Sequence, residues 1–247
     1  MQTSSRNAAM FISLMAASAF TVLIKGALGM HPMHHFQFLS LFLLALLTSR
    51  LKVKLPGLTG NMSVNLPFLF LAIAQLSLLE AAVIAFASTL VQSLPKDGKP
   101  LKLVQVLFNV STVTTAAGLS YLVFRNQLWP SSNGSLSLVL AAGTFFFVNT
   151  LPVATIISLT EGAKVVRTWF GIFHLSFPYY VAGAGITSIV TTMGRYPGWQ
   201  LPLGLLPVML VMYRSYRIYF GQAATAGSTV PDGNFAAASK RRAAGAS

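Results

Sequence analysis

The chain has 247 residues, of which 54% are hydrophobic and only 9% are charged. Because soluble domains carry about 25% charged residues, this composition excludes a water-soluble globular domain and predicts a protein that is solvated largely by lipid. The net charge of +13 does not indicate nucleic-acid binding, since the basic residues flank apolar segments, and the absence of cysteine excludes disulfides and thiolate-based zinc sites.

Eight helical segments are predicted, and the first is a membrane-spanning helix over residues 8–28. It is long enough to cross the roughly 30 Å hydrocarbon core at about 1.5 Å per residue. A histidine-rich turn leads to a shorter segment at 36–48. Apolar and basic residues alternate over 51–57, which predicts an extended interfacial stretch, and a loop is expected to continue over 60–63.

The apolar stretch at 65–94 is longer than one crossing requires and carries polar residues near its middle. It predicts two short helices, 66–75 and 78–93, bent around Leu76 and Ser77. Ser77 can cap the second helix, with Glu80 three residues further on completing a capping box. The pair could form two short spans or a re-entrant pair, and a single long, tilted helix is the simplest alternative.

The second half of the chain predicts four further spans and one interfacial helix. A helix is expected at 101–124, followed by one at 136–159 that should kink at Pro152. Basic and aromatic residues at 164–173 predict a helix lying in the interface, ahead of spans at 177–193 and 199–213. We therefore expect a membrane domain at 1–219 and a disordered, Ala/Gly-rich basic cytoplasmic tail at 220–247.

The basic residues also predict the orientation. If the N-terminus is inside and every segment crosses, all the Lys and Arg residues except Lys25, Arg125 and Arg195 lie on the inner side. This favours an all-α, polytopic transmembrane bundle of the plasma membrane with both termini in the cytoplasm. The expected interface anchors are Lys52, Lys54, Trp169, Trp199, Tyr213, Arg214 and Arg217.

Polar residues inside the spans are the candidate ligand-binding residues, because charges in a bilayer are costly and are functional candidates by default. Gln75, Glu80 and Asn149 are predicted to line a cavity between helices. For Glu80 the favoured interpretation is nevertheless the helix cap, and for Gln75 and Asn149 it is helix packing.

The cluster of His31, His34 and His35 is a weak metal-site candidate. Adjacent histidines cannot easily bind one metal and no carboxylate lies nearby, so a polar interfacial turn is favoured and no cofactor is expected. Only four acidic residues are present, and no catalytic triad, phosphate-binding loop or carboxylate pair can be assembled. Enzymatic activity is therefore not expected.

Two stretches carry a resemblance to a known family. The first comprises RLKVKLPG at 50–57, NMSVNLPF at 61–68, EAAVI at 80–84 and LVQS at 90–93; the second comprises SFPYYV at 176–181, GWQ at 198–200, LPV at 206–208 and YRSYR at 213–217. Together they resemble the N-terminal multi-helix membrane sensor (MASE-like) regions of bacterial cyclic-di-GMP signalling proteins. In those proteins the last helix leads into a GGDEF or HD-type output domain.

The resemblance implies a sensor-like domain that relays a signal through helix shifts to a partner and has no catalytic activity of its own. Only a short low-complexity tail follows Tyr219, so we expect a stand-alone domain or a remnant without an output domain. The first stretch is also similar to the substrate-binding subunits of vitamin transporters, and a purely structural role is a third possibility. The expected partners are the lipid bilayer and either a signalling protein or a second copy of the chain, with no nucleic acid.

Overall fold

The computed structural model describes residues 2–29, 35–54, 61–95, 100–126, 134–193, 204–211, 213–215 and 217–218. Over these residues the fold is the predicted all-α bundle, with one short hairpin. The elements are α1 (Gln2–Leu28), α2 (His35–Ser49), β1 (Lys52–Lys54), β2 (Asn61–Ser63), α3 (Leu66–Gln75), α4 (Leu78–Ser93), α5 (Leu103–Arg125), α6 (Gly134–Glu161) and α7 (Val165–Met193). An eighth helical segment, α8, falls within Gly204–Ser215.

Three helices of the described part are long and apolar enough to cross a membrane: Arg6–Leu28 of α1, Leu103–Arg125 of α5 and Gly134–Glu161 of α6. Large apolar side chains such as Met10, Leu103 and Val139 are more than half exposed on these helices. Exposed apolar surface of this extent is unfavourable in water and suited to acyl chains. The chain is therefore a membrane protein.

The short helix α3 lies at the centre of the bundle, although it has only 10 residues. Its residues from Leu66 to Ile73 are all buried, and Phe68 and Phe70 are completely inaccessible. At about 1.5 Å per residue it spans about 15 Å, half of a hydrocarbon core. Helices α2, α4, α5, α6 and α7 all pack against it, so protein rather than lipid surrounds it.

The predicted middle pair is confirmed at both helices, and so is the cap between them. The Ser77 hydroxyl accepts from the Glu80 backbone N–H, and the Glu80 carboxylate accepts from the Ser77 backbone N–H at 2.9 Å. This reciprocal bonding satisfies donors that the start of α4 would otherwise leave unpaired. The turn at Leu76 and Ser77 is therefore a capped boundary between two helices and not a kink in one long helix.

Contacts between helix ends define two ends of the bundle. At the turn end, Gln37 at the start of α2 bonds Gln75 at 2.6 Å, and Arg125 at the end of α5 donates to the Leu76 carbonyl at 3.2 Å. At the hairpin end, Lys52 donates to the Leu94 carbonyl just beyond α4. Thus α3 runs towards the turn end and α4 returns from it.

Two sequence predictions were wrong. The separate interfacial helix at 164–173 and the span at 177–193 are one continuous helix, α7, which passes through Pro178. A proline removes a single backbone donor, and ring contacts from Phe146 of α6 to Phe173 and Phe177 hold both halves of α7 in place. Residues 61–63, expected in a loop, form β2, which pairs antiparallel with β1.

Helix α6 continues through Pro152, and the kink expected there stays a prediction. The extended stretch predicted over 51–57 is confirmed at β1, where Lys52 pairs with Ser63. The backbone N–H of Val64 donates to the Leu51 carbonyl at 3.2 Å, which extends the hairpin towards α3. The hairpin therefore delivers the chain directly to the start of the buried helix.

Helix α1 packs closely against α4 and α5 at two glycines. A Cβ added to Gly118 of α5 would lie within 2.6 Å of Cγ2 of Val22, and one added to Gly26 of α1 would lie 2.9 Å from the Leu79 backbone. Only a residue without a side chain allows such close approach. A bond of 2.9 Å between the hydroxyls of Ser18 and Thr115 links the same two helices, α1 and α5.

Candidate ligand-binding cavity

A partly open cavity of about 110 Å³ lies between the helices at the beginning of α3. Four further helices, α4, α5, α6 and α7, contribute to its wall. The lining residues are Asn65, Leu66, Leu69, Thr89, Gln92, Val113, Phe145, Asn149, Tyr179 and Tyr180. Six of these have a polar, uncharged side chain, which is a high proportion for the interior of a lipid-embedded bundle.

The first turn of α3 has its backbone donors occupied within the protein. The Leu66 N–H donates to the Tyr179 hydroxyl at 3.1 Å, and Pro67 has no N–H. The N–H groups of Phe68 and Leu69 donate to the Asn65 carbonyl at 3.1 and 3.2 Å. The positive end of the helix dipole points at the cavity, but side chains present the hydrogen-bonding groups.

Asn149 and Tyr180 form a hydrogen-bonded pair in the wall. The Asn149 Nδ2 donates to the Tyr180 hydroxyl at 2.7 Å. The tyrosine keeps its own proton for donation, and the asparagine keeps a carbonyl oxygen for acceptance. Phe145 packs edge-on against Phe70, with ring centroids 5.5 Å apart, and its ring also contacts that of Tyr180. These contacts fix the orientation of the pair.

Thr89 stands out among the hydroxyl residues of the bundle. Its side chain is 3% exposed, and its hydroxyl oxygen is buried with no hydrogen-bond partner. By contrast, Thr150 on α6 donates to the carbonyl four residues earlier at 2.7 Å, as Ser176 on α7 does. A buried hydroxyl without a hydrogen-bond partner lowers the stability of the fold by about 1–3 kcal/mol. Such a group is therefore unexpected unless another role accounts for it.

Three hydroxyls of α5 share this state, but they do not line the cavity: Thr112, Thr114 and Ser120. Thr89 differs from them because it is both unpartnered and part of the cavity wall. Its hydroxyl oxygen is buried within that wall, so Thr89 places an unsatisfied polar group beside the cavity.

The predicted ligand residues are not brought together. Asn149 lines the cavity, while Gln75 bonds Gln37 and Glu80 bonds Ser77, both at the turn end. About 15 Å of helix α3 separates Gln75 from the cavity. Glu80 is 2% exposed and serves as the helix cap, as favoured from the sequence, and its second carboxylate oxygen has no hydrogen-bond partner.

The predicted anchors have different surroundings. Trp169 is half-buried and donates from Nε1 to the Thr150 hydroxyl at 3.1 Å, and Tyr213 packs against the core. Arg214 and Arg217 are exposed. The Lys54 side chain and Trp199 lie outside the described residues, as does the tail at 220–247.

Of the histidine candidates, His35 is the exposed first residue of α2, and His31 and His34 lie outside the described residues. Across the described ranges, no three His, Cys, Asp or Glu side chains are grouped so as to hold a metal ion.

The sequence reasoning missed Thr89, Tyr179 and Tyr180. The two tyrosines stand in the SFPYYV motif, where consecutive hydroxyl-bearing rings within an apolar span were a usable signal. Thr89 carried no such signal, because threonine is common in membrane helices and usually bonds its own backbone.

No family model, curated protein or solved structure matches this chain. Its fold and cavity therefore define its class: a helical membrane protein with an uncharged, partly polar cavity at the start of a buried half-length helix.

Proposed function

We propose that this protein is a membrane sensor domain that binds a small molecule in the cavity and relays binding to a partner by a helix shift. The observation that carries the proposal is the uncharged cavity at the start of α3, which five helices line and whose wall holds the hydrogen-bonded pair of Asn149 and Tyr180. The lining side chains among the described residues include no carboxylate, histidine or cation, so we assign them binding and not catalysis.

Helix α7 is the element that would carry the signal. Its neighbouring residues Tyr179 and Tyr180 line the cavity and bond α3 and α6, respectively. A ligand that competes for either bond changes how α7 is held against these helices. Packed helices respond to such changes by shifts of about 1–2 Å, because close-packed interfaces do not deform continuously.

The setting of the proposal is a multi-pass protein of the bacterial inner membrane with both termini in the cytoplasm. The distribution of basic residues supports this orientation. The resemblance to MASE-like regions supports a signalling protein, or a second copy of the chain, as the partner. The exposed Arg214 and Arg217, near the end of the described chain, would then lie on the cytoplasmic side.

The relay can be tested without knowing the ligand, because a larger side chain can occupy the cavity. Val113→Phe on α5 fills part of it, and Leu119→Phe on the same helix, where Leu119 is 40% exposed, is the matched control. The chain has no cysteine, so spin labels can be placed at Met10→Cys and Val166→Cys, each 66% exposed. Electron paramagnetic resonance in lipid nanodiscs then measures the distance from α1 to α7.

We expect Val113→Phe to shift the distance between the labels by about 1–2 Å and Leu119→Phe to leave it unchanged. An unchanged distance in both variants, with thermal stability retained, would show that cavity occupancy does not reach α7. That result would refute the relay.

A transport role is the second candidate, and the half-length α3 favours it. Transporters often place substrate at the end of a helix that stops inside the membrane and is surrounded by protein. This role predicts solute flux when the chain is reconstituted into liposomes, reduced by Val113→Phe but not by Leu119→Phe. A sensor predicts no flux in either case.

A further inference from the structure

We infer that the cavity binds a small, uncharged molecule bearing both a hydrogen-bond donor and an acceptor, of the size and kind of a simple amide or urea. The inference rests on the proposed binding function and adds the chemical class of the ligand. It is carried by the charge, the backbone geometry, the volume and the side-chain chemistry of the cavity.

The charge of the wall excludes ions as the preferred ligand. None of the 10 lining residues is Asp, Glu, Lys, Arg or His. Moving an ion into a membrane interior costs several kcal/mol unless an opposite charge compensates it. The polar groups of the wall are uncharged hydroxyls and amides. The desolvation cost of entering the cavity is therefore much smaller for a neutral molecule than for an ionised acid or amine.

The start of α3 does not convert the cavity into an anion site. Anions bind helix N-termini chiefly through unoccupied backbone N–H groups. Here the Leu66 N–H donates to Tyr179, those of Phe68 and Leu69 donate to the Asn65 carbonyl, and Pro67 has none. What remains is the dipole alone, which is weaker than a full charge.

The volume limits the size of the ligand. An apolar cavity of about 150 Å³ accommodates benzene, so a cavity of about 110 Å³ accepts a somewhat smaller molecule. Molecules of about four or five heavy atoms meet this limit. Vitamins and nucleotides are several times larger, so most of such a molecule would lie outside this cavity.

The hydrogen-bonding side chains of the wall match a ligand that carries both a hydrogen-bond donor and an acceptor. Tyr180 retains a proton after accepting from Asn149, and Asn149 retains its carbonyl oxygen as an acceptor. The Thr89 side chain is part of the same wall, and its hydroxyl, which is buried there without a partner, can act in either role. An amide carbonyl matches the tyrosine donor, and an amide N–H₂ matches the asparagine acceptor.

Three probes of nearly the same shape separate the possible classes: acetamide is neutral, acetate is an anion and acetamidinium is a cation. Each is titrated against the full-length protein in lipid nanodiscs, and dissociation constants are measured by ligand-observed nuclear magnetic resonance. The variants are Thr89→Val and Asn149→Leu. The control is Thr144→Val, whose hydroxyl donates to the Leu140 carbonyl and lies outside the cavity lining.

We expect acetamide to bind at least about tenfold more tightly than either ion, since charge transfer into the cavity is uncompensated. Thr89→Val and Asn149→Leu should each weaken acetamide binding by about fivefold or more, and Thr144→Val should not change it. Affinities in the millimolar range are expected for molecules this small.

Each other outcome overturns the inference. If acetate or acetamidinium binds as tightly as acetamide and Thr89→Val abolishes that binding, the ligand class is wrong but the cavity remains a binding site. If no probe shows binding that depends on Thr89 or Asn149, the ligand class is wrong as well. The spin-label measurement with Val113→Phe then decides the proposed relay independently, because it requires no ligand.

Discussion

Replacing Gly118 by alanine should force α1 and α5 apart at their closest contact. The added Cβ would lie within 2.6 Å of Cγ2 of Val22, and closer still to Cγ1. Carbon atoms in favourable contact are about 3.5–4.0 Å apart, so the neighbour has to move. Val22 cannot rotate away, because a β-branched side chain in a helix has one strongly preferred rotamer. The backbone of α1 must therefore shift.

The magnitude follows from two opposing terms. Overpacking a close-packed core costs about 1–3 kcal/mol, while alanine is favoured over glycine inside a helix by about 1 kcal/mol. Because both γ-methyls of Val22 clash, we expect a net destabilisation of about 1–2 kcal/mol. Gly143→Ala on α6 is the matched control, since nothing lies within 4 Å of its added Cβ, and it should stabilise by up to about 1 kcal/mol.

The assay is unfolding of the purified protein in detergent micelles, followed by circular dichroism, for a double-mutant cycle. Val22→Ala removes the clashing methyls, so the double variant with Gly118→Ala should recover at least about 1 kcal/mol relative to the sum of the single changes. Gly118→Ala as stable as Gly143→Ala, or strictly additive effects in the cycle, would refute the close α1–α5 contact.

Three further substitutions test the site and the cap by the same unfolding assay. Thr89→Val should not lower stability, because its hydroxyl has no partner to lose, whereas Thr150→Val should cost about 1 kcal/mol; equal losses would contradict this. Tyr179→Phe should destabilise by about 1–3 kcal/mol because it leaves the buried Leu66 N–H without an acceptor, and a neutral effect would show that this bond is not formed. Glu80→Ala should lose about 1–2 kcal/mol of capping, while Glu80→Gln retains an acceptor and most of the stability; equal effects would argue against the cap.

Local chemistry made the middle of the chain predictable. Ser77 followed by Glu80 is a boundary signal that acts within three residues, and the structure places α3 and α4 on either side of it. The length of the apolar segments predicted α1, α5 and α6 for the same reason, because this length is a property of a single stretch of the chain. Residues 164–173 were misassigned because their basic and aromatic side chains also fit a separate interfacial helix, and only packing against α6 decides between the two.

The cavity was much less predictable, because its residues are distant in sequence. Leu66 and Tyr179 are 113 positions apart in the sequence, and no pattern in either segment predicts the hydrogen bond between them. Polarity alone selected Gln75, Glu80 and Asn149, but Gln75 and Glu80 are satisfied by partners at the turn end. Asn149 does line the cavity, although helix packing was the interpretation favoured for it, and its neighbours in the wall were not identified.

The position of α3 has a consequence for biosynthesis. A helix of 10 residues is too short to be stably inserted into a bilayer on its own. The phenolic oxygen that accepts from Leu66 belongs to Tyr179, which the ribosome adds more than a hundred residues later. The nascent chain must therefore hold α3 in an unfinished environment until α7 emerges, so a polypeptide truncated before α7 should be recognised by membrane quality-control proteases.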